Sequence, residues 1–247
     1  MISPFLRGAR CLLTGLSLLG HERLRSFVLL PLVINLLLFG GGLWWGGSEL
    51  SAWLDAQIAK LPDWLHWLHW LLVPLLVAAA ALVTFYGFSI VANLVGAPFN
   101  GWLAERAEAL FDPAAQVPER PLWQEVTIAF ASALRATLYF LLRAIPLLLL
   151  FFIPVVNIAA PFIWAAFGAW MLALQYLDYP LGNHGIDFSE QRRAHRADRA
   201  RTFGFGCAVL LLTLVPVLNF VAMPAAVIGA TALAVERRRT AGVAALR

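Results

Sequence analysis

From residue 3 to residue 19 the polar positions Arg7, Arg10, Thr14 and Ser17 recur at steps of three and four, with Leu6, Leu13 and Leu16 across from them. That period predicts an amphipathic helix lying on a membrane surface over 3–19, because a crossing there would carry both arginines into hydrocarbon. A polar knot follows at His21, Glu22, Arg23, Arg25 and Ser26. The stretch 27–47 then offers an uncharged run that covers the roughly 20 residues a bilayer crossing needs. A second span is predicted over 66–96, flanked by Trp64, Trp67 and Trp70 at interfacial spacing.

The second half is patterned differently. Two apolar stretches are each interrupted by proline and asparagine: Pro154, Asn157 and Pro161 in one, Pro216, Asn219 and Pro224 in the other. Proline removes a backbone donor and clashes with the preceding turn, so each stretch is expected to split into helices joined by a bend. The apolar pieces beside the first break, 145–153 and 162–174, fall short of a full crossing. Two partly inserted helical hairpins are therefore expected, 122–177 and 203–235, each returning to the side it left. Charge favours that parity, since it gathers the arginine-bearing segments on one face and leaves Lys60, the only lysine, on the other. The fold class is an all-α integral membrane protein, a single domain over 1–247.

Composition excludes a water-soluble globule: 61% of residues are hydrophobic and 13% charged, and the mean hydropathy is +0.78. The net charge of +4 rests almost wholly on arginine, whose forked donors suit oxyanions and lipid phosphates. Membrane lipids are expected partners, and nucleic acid is not. Cys11 and Cys207 are isolated, so neither a disulfide framework nor a zinc site is expected. His66 and His69 sit among Trp and Leu without further ligands, and no metal or cofactor is expected. With Arg7 and Arg10 in the first helix, no cleavable signal peptide is expected either. No phosphate-binding Gly-x-x-x-x-Gly-Lys loop occurs, and Ser89, His184 and Asp187 lack the setting of a nucleophile, so the chain reads as a non-enzyme.

Several segments carry a more specific pattern: 27–35 (FVLLPLVIN), 97–101 (APFNG), 103–105 (LAE), Arg143 with Ala144, 169–180 (AWMLALQYLDYP), Asn183 with His184, and 223–231 (MPAAVIGAT). Together they make the chain resemble the CysZ-type bacterial sulfate permeases. The resemblance implies a multi-pass protein of the inner membrane, a homo-oligomer of the hexamer-of-dimers type, which passes sulfate inward for cysteine biosynthesis. The sulfate-binding motif of that family, a glycine, an apolar residue and two arginines, falls here on Arg23, Leu24, Arg25 and Ser26. Only Arg25 keeps its guanidinium; Ser26 offers a hydroxyl in place of the second arginine, and Arg23 replaces the glycine. A helix start with free N–H groups still favours an anion there. The competing role for Arg23 and Arg25 is anchorage at lipid phosphates. Asn93, Glu105, Arg143, Asn157 and Asn219 are the residues expected to line a polar interior route. The competing function is a membrane scaffold or regulatory protein that binds lipid or partner proteins without transport.

Overall fold

The computed structural model describes residues 3–58, 99–115 and 121–245, with position 118 and isolated positions between 70 and 86. The expected span 66–96, with His66, His69 and Asn93, falls outside the described residues apart from those isolated helical positions. Among the described residues the chain is helical and contains no strand. It forms two compact units, 1–28 with 100–247, and 29–99.

Helix α1, Pro4–Ser17, begins where Ser3 Oγ accepts the Leu6 N–H at 3.4 Å and Pro4 occupies the first turn. Helix α2, Arg25–Ile58, runs well beyond the expected 27–47 and carries Pro31 inside it. A helical stretch over 99–111, α3, comes next. Helix α4, Leu122–Leu149, tightens into two 3-10 turns, Leu150–Phe152 and Val156–Ile158, before α5, Ala160–Asn183. The short α6, Phe188–Ala197, leads to α7, Arg199–Thr213, and α8, Pro216–Ala245.

Both breaks fall where the prolines place them. At the first, Val155 adopts φ 71°, a left-handed backbone that is strained for a β-branched residue, and the Asn157 N–H closes the turn on Ile153 O at 3.0 Å. At the second, Pro216 takes the first position of α8, where its missing N–H has no helical partner to lose. Pro161 opens α5, whereas Pro224 is carried inside α8. The helical arms exceed the apolar runs that announced them: α4 has 28 residues and α5 has 24. Helix continues past Arg143 and Pro146 on one side and past Gln175 and Asp178 on the other. Among the described residues three stretches, Phe130–Phe152, Ala160–Asn183 and Pro216–Thr240, are long and apolar enough to cross a bilayer.

In the larger unit α1 is clasped by α7 and α8 through glycine. A Cβ on Gly8 would collide with the Arg201 carbonyl oxygen, and one on Gly204 with that of Phe5, so α1 and α7 each yield a glycine to the other's backbone. The same exchange joins α1 to α8: Gly15 faces Ala225 O, and Gly229 faces Cys11 O at 2.7 Å from its would-be Cβ. Such approach brings Cα–H groups against carbonyls and is open to glycine alone. The buried stripe of α1 is therefore Gly8, Cys11, Leu12 and Gly15, while Leu6 and Leu13 remain exposed. Phe205, Val209, Val227, Ile228 and Leu233 complete the core behind it.

Candidate functional site

The chain turns sharply between α1 and α2. His21 O accepts the N–H groups of both Leu24 and Arg25 at 2.9 Å, and the Arg23 N–H donates to His21 Nδ1 at 3.2 Å. Leu24 is fully buried and pins the turn from beneath, which leaves Arg23, Arg25 and Ser26 facing outward. The Leu24 carbonyl accepts from Phe27 and Val28 at 3.0 and 3.2 Å, starting the α2 ladder. No acceptor within the described residues takes the Ser26 N–H, one of the orphan donors of a helix start. Neither Arg23 nor Arg25 is ion-paired within the described residues.

Four other arginines meet carboxylates. Arg238 pairs with the carboxylate of Glu108, which is 1% exposed, and Arg135 pairs with Asp187. Arg201 lies 3.6 Å from both Asp198 and Glu236. Arg237 reaches Asp198 Oδ2 at 3.1 Å, Thr202 Oγ1 at 2.6 Å and His195 Nδ1 at 3.2 Å. Burial, with the Arg237 charge beside it, pushes the His195 pKa down to about 3, so the neutral ring accepts at Nδ1. Asp187 is held below the usual carboxylate range chiefly by the Ser189 hydroxyl, with Arg135 adding to it. Among the described residues no cluster of three or more His, Cys, Asp or Glu side chains could hold a metal ion.

The C-terminal end of α5 is a polar clasp. His184 Nε2 lies 2.8 and 3.0 Å from the two Glu108 oxygens. It also lies 3.1 Å from Arg238 Nη1, and one nitrogen cannot donate to the first and accept from the second. The full charge of the carboxylate decides for donation to Glu108. Asn183 Nδ2 donates to Gly101 O at 2.9 Å, and Asn100 Nδ2 lies 3.4 Å from the Tyr179 hydroxyl. Asp178 accepts from Ser132 Oγ at 3.1 Å and Gln191 Nε2 at 2.7 Å, tying α4 and α6 to α5. The helix ends in a Schellman motif: the Ile186 N–H returns to Leu181 O at 3.1 Å and the Gly185 N–H to Gly182 O at 2.7 Å, with Gly185 at φ 70°. That turn sets His184 against Glu108.

The family model "Sulfate transporter CysZ/Etoposide-induced protein 2.4" matches residues 11–224. A sulfate transporter CysZ of Pseudomonas fluorescens is 43% identical over 242 residues, covering 96% of each chain. One of Pectobacterium atrosepticum is 42% identical over 236 residues, covering 94% of this chain and 86% of the relative. The chain belongs to this family.

The CysZ-like stretch 169–180 with Asn183 and His184 is thus the very segment whose polar side chains reach out to α3, α4 and α6. Nothing in the sequence pairs those residues with Glu108, Gln191 or Arg238; the only signal is a set of polar residues ending an apolar helix. The expected interior residues are scattered. Glu105 lies on the exposed side of α3, one row from buried Glu108. Arg143 bends back to Tyr139, with Nη1 donating to its carbonyl at 3.3 Å. Asn157 and Asn219 are exposed at the two breaks, among outward-facing Phe152, Val155, Val217 and Phe220. No contact joins these four among the described residues, and Asn93 lies outside them.

Proposed function

We propose that this protein is a sulfate permease of the bacterial inner membrane, importing sulfate for cysteine biosynthesis as a homo-oligomer of the hexamer-of-dimers type. Arg23, Leu24, Arg25 and Ser26 form the capture site. The observation that carries this reading is the outward pair of guanidinium groups flanking buried Leu24 at the start of α2, where neither meets a carboxylate among the described residues. A dianion there gains the two charges, the Ser26 hydroxyl and N–H, and the positive end of a long helix. Leu24 contributes by burial, holding the turn so that its neighbours face the anion. The curated relatives carry the name sulfate transporter, which fits a tetrahedral dianion at such a site.

The helix pairs α4–α5 and α7–α8 enter and leave by the arginine-bearing face, and Asn93, Glu105, Arg143, Asn157 and Asn219 offer polar contacts along the route. Selection by a few weak, successive contacts allows entry and release alike. Catalysis is no part of this reading. Uptake of labelled sulfate into liposomes holding the purified protein tests it, with Arg25→Ala and Arg23→Ala compared against wild type. Arg25→Ala should lose most of the flux and of the sulfate binding. Unchanged flux and binding in both variants would overturn the site.

A further inference from the structure

We infer that Arg143 and Arg192, brought together at Tyr139, form a second oxyanion-binding site, separate from the start of α2. The guanidinium carbon of Arg143 lies 3.6 Å from the centre of the Tyr139 ring, and that of Arg192 lies 5.4 Å from it. The two residues come from α4 and α6, 49 positions apart by their numbering. Their meeting is a product of the fold.

The platform under them is fixed. Tyr139 is 7% exposed and packs with Leu174 and Phe188, the latter ring edge-on at 5.8 Å between centres. Trp170 Nε1 donates to its hydroxyl at 3.3 Å. Helix α6 is held at this place by Gln191, whose Nε2 donates to Asp178 Oδ1 at 2.7 Å and to Ile186 O at 2.9 Å. Arg192 follows Gln191 directly, so its position relative to the ring is set by a buried anchor.

Two cations beside one ring repel each other, and a tyrosine face at a partly exposed site offsets only a small part of that repulsion. Two carboxylates that tie α4 and α6 in place are already engaged: Asp178 accepts from Ser132 and Gln191, and Asp187 from Arg135 and Ser189. Neither Arg143 nor Arg192 has an acidic partner among the described residues. Among the described residues the only hydrogen bond of the Arg143 side chain goes to its own helix, at Tyr139 O. Arg201 and Arg237, half-buried as these two are, meet carboxylates. An acceptor from outside the chain would complete this pair, and two forked, partly desolvated guanidinium groups suit an oxyanion such as sulfate or phosphate.

Arg143 belongs to the apolar stretch Phe130–Phe152 and bends back one turn to reach the ring, as a long cationic side chain does to leave hydrocarbon. Free sulfate and the phosphate of a lipid headgroup present the same chemistry at that depth. The site takes its ligand whether or not transport follows, so its readout is binding.

The experiment uses full-length protein carrying Arg25→Ala, which silences the first site, melted in detergent with sodium sulfate against chloride of equal ionic strength. A parallel series adds phosphatidylglycerol against phosphatidylcholine. Sulfate or phosphatidylglycerol should raise the melting temperature, and Arg143→Gln with Arg192→Gln should remove at least half of that rise. Arg192→Gln alone, on the polar helix α6, serves as the second variant should the double one fail to fold. A response to sulfate alone assigns the site to the free anion; a response to phosphatidylglycerol alone assigns it to the headgroup. No rise with either probe, or a rise unchanged by the glutamines, overturns the site, and neither result bears on flux through the start of α2.

Discussion

Glu108 and Arg238, 130 positions apart, form an ion pair where α3 meets α8, with the Glu108 carboxylate sealed from solvent and His184 donating to it from α5. One acidic side chain thereby ties three helices.

Removing Arg238 alone leaves a buried charge without its cation, a loss that runs to about 3 kcal/mol or more. Arg238→Met should therefore lower the melting temperature in detergent by several degrees. Glu108→Leu together with Arg238→Met should recover most of that loss, because both charges leave together. If the double variant melts no higher than Arg238→Met alone, the pair does not govern this junction.

Gly8, Gly15 and Gly204 each lie against a partner's carbonyl, where a Cβ cannot fit without moving backbone. Alanine at any of them should destabilise by about 1–3 kcal/mol or more. Gly168→Ala, in α5 with open space around it, should instead stabilise slightly through helix propensity. Thermal unfolding of the four single variants checks the contrast.

His195 takes up its proton in the unfolded chain near pH 6.5 but in the folded chain only near pH 3. Between those values unfolding binds a proton, so the folded state loses stability as pH falls below 6.5, by up to about 1.4 kcal/mol per pH unit, and gains nothing from this group above it. His195→Gln keeps an acceptor for Arg237 and removes the titration. Its melting temperature should fall less than that of wild type between pH 7 and pH 5.

The Cys11 thiol is buried in α1, 3.4 Å from Arg7 O and 3.9 Å from Glu236 Oε2, and burial, helped by the Glu236 charge, pushes its pKa up to about 11. Thiolate is the reactive form. Maleimide at pH 7.5 should therefore label Cys11 at least tenfold more slowly than an unfolded control, as read by mass spectrometry of the labelled peptide.

The breaks at Pro154 and Pro216 were legible because a missing N–H acts on the nearest turn, whatever surrounds it. Helix length was less so: apolar runs stop at Arg143 and Asp178, but the helices continue, since a long side chain can bend back and a carboxylate can find Ser132 and Gln191. The face of α1 that packs was hidden for a different reason. Gly8 and Gly15 contribute almost nothing to a hydrophobic pattern, yet they admit neighbouring backbone, while Leu6 and Leu13, which dominate the pattern, point away. Glu108 and Glu105 look alike in sequence three positions apart, and only the partners on α5 and α8 separate them. The Arg23–Arg25 turn was legible as a cationic helix start, and the burial of Leu24 beneath it was not.

The glycine exchange joins α1 to α7 and α8, which follow it in the chain by about 180 residues. Helix α1 emerges well before these partners and must wait at the membrane for them, so the glycine contacts close late in synthesis. A chain halted before Gly229 would lack half of that closure, and quality control could tell a finished molecule from an unfinished one by whether its first helix is still loose.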